Sequence, residues 1–241
     1  MTFRFLLEAV MQVSVISVVA IILLNNRSRE NFLRIGLFAG VYIVYQIVLV
    51  VPRLIPALAI TGSGWNWEGK ILGIGLGVLC YFLLKRYFPD HDFFTLRQNS
   101  DNFRITMTVT VSVILIMSVL YHFIADSPFD IETLAFQLTM PGPDEEIMFR
   151  GVLLGLLLSA LPDKIRFTEN PSVLLTAVLF GFLHAFTLDR NYGISFEPVY
   201  FLQTFLGGYV FGWLAVKSRS LVLPVAAHAL TNFFAALATM L

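Results

Sequence analysis

Residues 35–52, 105–125, 170–188, 198–216 and 220–241 contain no Asp, Glu, Lys or Arg. About 20 apolar residues at ~1.5 Å rise cross a hydrocarbon core of about 30 Å, so runs of this length read as membrane-spanning helices. Only 13% of the 241 residues are charged, against about a quarter in soluble domains. Hydropathy gives about eight spans, at 5–25, 33–52, 68–87, 104–124, 144–161, 171–188, 198–217 and 220–240. The expected fold is an all-α, polytopic membrane bundle of about eight transmembrane helices. Such a chain is an integral, multi-pass protein in contact with membrane lipid, expected in the cell membrane.

The formal net charge is zero, which gives no electrostatic argument for a nucleic-acid partner. Cys80 is the single cysteine, so neither a disulfide framework nor a cysteine-based zinc site can form. The apolar run 9–24 has the look of a signal peptide. Asn25-Asn26-Arg27 is a poor cleavage site, however, and further spans follow, so it is read as a retained first helix. Small residues recur four apart at Gly36/Gly40, Gly73/Gly77, Gly151/Gly155 and Gly208/Gly212, a spacing that lets helix backbones approach closely in lipid. Gly73-Ile74-Gly75-Leu76-Gly77 has no strand before it and is read as packing rather than as a nucleotide loop. Basic residues favour the odd-numbered loops over the N-terminus and even-numbered loops by eleven to four. That bias predicts cytoplasmic odd loops and both termini outside. Between the fourth and fifth spans, Ile131, Leu134, Ala135 and Leu138 fall on one face of a predicted short interfacial helix. Pro141-Gly142-Pro143 then starts the next helix.

Charged and polar groups inside spans cost free energy and usually face a polar interior. Asp144, Glu145, Glu146 and Arg150 open the fifth span. Acids just after a proline also suit a helix N-terminus. Glu146 and Arg150, spaced i,i+4, can pair on one helix face, whereas Glu145 has no partner on its own helix and is free for chemistry. His184 sits near the end of the sixth span, where a histidine can also serve as interhelical glue. His228 and Asn232 share one face of a last span that is otherwise apolar. In antiparallel helices the start of span five and the end of span six lie at one level. Glu145, His184, His228 and Asn232 can therefore converge on one water-activating site.

Glu145-Glu146-Ile147-Met148-Phe149-Arg150-Gly151 resembles the EExxxRG motif of the CPBP intramembrane protease family, which takes in CAAX prenyl endopeptidases and bacteriocin-processing or Abi proteins. Phe180–His184 is similar to its FxxxH motif and His228–Asn232 to its HxxxN motif. Phe205, Gly208 and Gly212 also fit. The resemblance covers roughly residues 130–240. It divides the chain into N-terminal helices without a motif (1–125) and a catalytic membrane domain (126–241) within one integrated bundle. The resemblance implies intramembrane proteolysis of a peptide or protein substrate, prenylated or leader-bearing. Glu145 would be the general base, His184 would position the water, and His228 with Asn232 would stabilise the oxyanion. Glu146 and Arg150 would form a supporting ion pair. Two other readings carry over: a non-catalytic immunity or scaffold protein of the same family, and a transporter. No cofactor is favoured. If zinc were used, Glu145, His184 and His228 would hold it in a His₂Glu arrangement, but HExxH is absent and Asn232 suits an oxyanion better than zinc.

Overall fold

The computed structural model describes residues 2–24 and 26–241; Asn25, the last residue of the first expected span, lies outside them. Among the described residues the helices are α1 (Thr2–Leu23), α2 (Arg29–Leu54), α3 (Trp67–Leu84), α4 (Phe103–Ile124), α5 (Ile131–Thr139), α6 (Pro141–Glu146), α7 (Leu154–Leu158), α8 (Pro171–Ala185), α9 (Pro198–Ser218) and α10 (Val222–Thr239). A π-helical segment, Ile147–Leu153, joins α6 to α7. Strands β1 (Phe186–Leu188) and β2 (Ile194–Phe196) form a hairpin between α8 and α9. The chain is an all-α bundle in which α1, α2, α3, α4, α9 and α10 are long and apolar enough to cross a membrane.

Two of the eight expected spans differ from the expectation. The fifth is one run of helical turns broken in register by the π segment, where the N–H of Leu154 reaches back five residues to Phe149 O. It carries four charges, all buried. The sixth is shorter than 171–188, because α8 stops at Ala185. Phe186-Thr187-Leu188 and Ile194-Ser195-Phe196 are rich in aromatic and β-branched residues, which favour strand over helix. Asp189 turns the chain between them, its Oδ1 accepting the N–H groups of Asn191 and Gly193 at 2.7 and 2.9 Å.

Helix α5 forms where a short interfacial helix is expected, started by Asp130, whose side chain accepts from the N–H groups of Glu132 and Thr133. Its anchoring side chains differ from the expected face. Leu134 and Phe136 are buried while Ile131 and Leu138 are exposed. Phe136 is captured instead by Trp65, stacked at 4.6 Å, and by Trp67, edge-on at 5.2 Å.

Around this frame α1 packs on α2 and α8, α2 on α3, α8 on α9, α4 on α10, and α3 on α6 and the π segment. The largest fully buried side chains include Tyr42 and Tyr45 of α2 and Phe149 and Arg150 of the π segment. Glycine decides how close two of these contacts come. A Cβ at Gly73 would overlap Asp144 Oδ1, and one at Gly142 would lie 2.9 Å from Val225 O and 3.0 Å from Ala229 Cβ. These positions let α3 and α10 close on α6 from two sides. The expected Gly36/Gly40 contact does not occur among the described residues, where nothing comes within 4 Å of a Cβ built at either.

Gly73→Ala is therefore expected to destabilise the protein by about 1–3 kcal/mol, the usual cost of overpacking. Gly75→Ala, with no atom within 4 Å of its Cβ, should melt like the wild type. Thermal unfolding of both variants in detergent checks this, and indistinguishable curves would remove the close α3–α6 contact.

Candidate active site

The site is built at the first turns of α6. Pro141 and Pro143 lack N–H groups, which costs nothing in a first helical turn whose N–H groups have no intrahelical acceptor. Asp144, Glu145 and Glu146 follow, all buried. Three consecutive carboxylates on a helix diverge by about 100° each, so each meets a different neighbour.

Asp144 points to α2 and α3. Its Oδ2 accepts from Tyr45 Oη at 2.7 Å and from Lys70 Nζ at 2.8 Å. Glu145 shares that lysine, with Lys70 Nζ donating to its Oε1 at 2.6 Å. Glu145 is thus not the unpaired carboxylate that helix spacing alone suggests. Spacing along one helix detects only partners on that helix, and this one comes from the first turn of α3. The other oxygen, Oε2, has no hydrogen-bond partner among the described residues. It faces His184 Nε2 at 3.9 Å and His228 Nε2 at 4.0 Å.

Glu146 points toward α9 and α10. Its Oε1 accepts from Arg150 Nη1 at 3.0 Å and from His228 Nδ1 at 2.7 Å. The expected ion pair with Arg150 is present, and the same oxygen also orients His228. Arg150 Nη2 donates to Gly208 O at 2.8 Å, and its guanidinium lies 4.7 Å from the Phe180 ring centroid.

Both imidazoles are fixed through Nδ1. His184 Nδ1 lies 2.8 Å from Phe180 O, one turn back on α8. A carbonyl only accepts, so that nitrogen carries the proton, and His184 presents Nε2 to Glu145. His228 donates Nδ1–H to Glu146 and likewise presents Nε2. Its ring lies flat against Phe211, centroids 4.9 Å apart. Phe180 touches both histidine rings as well as Phe149 and Arg150, which gives the aromatic of the FxxxH pattern a physical role. Asn232 lies one turn beyond His228 on α10 and is half-buried. The structure therefore brings Glu145, His184 and His228 together around Glu145 Oε2, with Asn232 next along the helix. Among the described residues, no group of three or more His, Cys, Asp or Glu is arranged to hold a metal ion.

The N-terminal helices contribute more than hydropathy suggests. Lys70 and Tyr45 belong to the site, and α1 holds its far wall. Gln12 Nε2 donates to Phe182 O and Phe186 O, both at 3.2 Å, and Gln12 Oε1 accepts from Tyr42 Oη at 2.5 Å. Glu8 Oε1 accepts the N–H of Leu188 at 2.8 Å. These contacts pin the end of α8 that carries His184. The available signal was Lys70 itself, the single basic residue between Arg53 and Lys85, since an ionisable group within a span is by default functional.

Replacing Lys70 with Met leaves Asp144 and Glu145 buried with no shared cation. Breaking a buried pair costs about 3–5 kcal/mol, so the variant should melt far below wild type. Adding Asp144→Asn removes one uncompensated charge and should restore part of that loss in a double-mutant cycle. Additive effects of the two substitutions would contradict the shared ion pair.

A family model described as type II CAAX prenyl endopeptidase, Rce1-like, matches residues 127–234. The matched segment holds Glu145, Glu146, Arg150, His184, His228 and Asn232, and leaves out Lys70, Tyr45 and Gln12. No curated protein and no solved structure matches the chain.

Proposed function

We propose, for a chain that belongs to the CPBP/CAAX protease family through residues 127–234, a glutamate-dependent intramembrane endopeptidase. The observation that carries this reading is Glu145 Oε2, a buried carboxylate oxygen without a hydrogen-bond partner among the described residues, flanked by two imidazole Nε2 atoms at 3.9 and 4.0 Å. Two hydrogen bonds of about 2.8 Å that meet at one water near a right angle leave their partners about 4.0 Å apart.

The protonation pattern assigns the parts. A water held there donates one proton toward Glu145 Oε2 and the other toward His184 Nε2, which turns its lone pair to the substrate. Its oxygen attacks the scissile carbonyl carbon as Glu145 takes the proton. The oxyanion that forms needs donors. Asn232 offers an amide, and His228 offers Nε2–H when its ring is an imidazolium, with Glu146 against its Nδ1 as counter-ion. Collapse breaks the C–N bond, and the proton on Glu145 passes to the leaving amine. Glu146 and Arg150 act from behind, as holders of His228 and of α9.

The N–O separations also bear on zinc. Ligands at about 2.0–2.2 Å in a tetrahedron lie about 3.3 Å apart, closer than these groups are, which favours direct catalysis by Glu145 over a His₂Glu metal site. The substrate class we propose is a membrane-associated peptide with a prenylated CAAX-type C-terminus, from the family description, cleaved in the cell membrane.

Two measurements test the reading. Glu145→Gln should keep a cooperative melt and lose about 10²–10⁴ in kcat, the usual worth of a general base. Glu146→Gln should lose both stability and kcat, because it loosens Arg150 and His228 together. Wild-type turnover by Glu145→Gln would eliminate Glu145 as the base, and a wild-type chain that cleaves nothing would point to a non-catalytic family role. Dialysis of active protein against a strong chelator, with metal content measured alongside, should leave activity intact. Activity lost on stripping and restored with stoichiometric zinc would make Glu145 and both histidines ligands.

A further inference from the structure

The hairpin beside His184 has one satisfied edge and one open edge. The N–H of Asp189 donates to Gly193 O at 2.9 Å, and the N–H of Glu197 to Ala185 O at 3.0 Å. In an antiparallel ladder the inward-bonding residues alternate. The pairing of Thr187 with Ser195 is therefore inward, and Phe186, Leu188, Ile194 and Phe196 turn their backbone groups outward. On β1 that outward edge is taken by α1, through Gln12 to Phe186 O and Glu8 to the N–H of Leu188. On β2 the N–H and C=O groups of Ile194 and Phe196 have no partner among the described residues. Their side chains share one face and are 65% and 41% exposed.

An open strand edge is not tolerated in hydrocarbon, where nothing satisfies it, and elsewhere it is a template for a further strand. The root of this hairpin is at the site. Ala185 follows His184 directly and Glu197 precedes α9, whose Tyr200 ring stands perpendicular to that of His184 at 5.9 Å. We propose that the outer edge of β2 binds the substrate polypeptide as a third strand, leading an extended segment to the water at Glu145. This inference rests on the peptidase reading and adds the recognition element. A peptide bond inside a helix is shielded by side chains and intrahelical hydrogen bonds, so a protease must hold its substrate extended. Strand addition does this with backbone hydrogen bonds that accept many sequences, while Ile194 and Phe196 offer an apolar surface to alternate side chains. The occupant is thus an extended, apolar peptide rather than a helix or a second copy of the chain.

The probe is an octapeptide ending in farnesyl-cysteine, two aliphatic residues and a terminal residue. Ile194→Pro removes one outward N–H without touching the inward ladder, as proline is tolerated on an edge. It should raise KM about tenfold, the loss of one well-made hydrogen bond, with kcat retained and with a larger effect than Ile194→Ala. Phe196→Pro is the second variant, used if the first fails to fold. In unsubstituted hairpin, on Glu145→Gln protein, the amides of Ile194 and Phe196 should exchange fast with deuterium alone and slowly with the peptide bound. Unchanged KM in the proline variant, or peptide binding without protection of these amides, overturns the proposal. So does failure of the peptide to bind, or protection that arises from a peptide-free dimer seen by light scattering. Protected amides in a wild-type chain that never cleaves the peptide would remove the catalytic reading alone and leave strand addition standing.

Discussion

Three adjacent carboxylates buried at the end of α6 dictate much of this architecture. Each is removed from water, and an ionised group there persists only where cations and donors meet it. The chain answers with Lys70 and Tyr45 on one side and with Arg150 and His228 on the other. Those four groups come from α2, α3, the π segment and α10, so satisfying the charges also fixes which helices surround α6. Glycines 73 and 142 follow from the same need, since a Cβ at either would hold α3 or α10 away. Each carboxylate keeps one oxygen without a hydrogen-bond partner among the described residues, and Glu145 Oε2 is the one that faces both histidine Nε2 atoms.

The π segment belongs to this arrangement. It begins directly after Glu146 and contains Arg150. An extra residue in a turn re-phases everything beyond it by about one helical position, about 100°. The polar face of α6 and the apolar residues of α7 therefore follow different registers, and every residue from Leu154 to Leu158 is buried. A regular helix would carry one phase through both.

The fold was largely legible in the sequence because uncharged runs of 18 residues and more leave few alternatives, and because Pro141 and Pro143 mark the start of α6. The hairpin was not, since three-residue strands next to an apolar helix give no periodic signal and Phe186–Leu188 reads as a continuation of it. In the site, the spacing of Glu146 and Arg150 announces their pairing, while the contact of Glu146 with His228 requires a helix some 80 residues later. Lys70 gives no such spacing signal of its role, since it lies one turn into its helix and its partners are 74 and 75 residues away. The glycine spacings show the limit of such patterns. Gly73/Gly77 faces another segment, and Gly36/Gly40 faces none among the described residues.

Gln12 and Glu8 have a consequence for how the protein is made. Their acceptor and donor groups at Phe182, Phe186 and Leu188 lie 170 to 180 residues further along the chain. At about 5–20 residues per second, helix α1 enters the bilayer roughly ten seconds or more before those groups exist. In the interval Tyr42, only 30 residues behind Gln12, is the polar partner that arrives with the second helix. Tyr42 keeps Gln12 Oε1 throughout, while Gln12 Nε2 and Glu8 wait for the histidine-bearing end of α8 to latch onto the first helix synthesised.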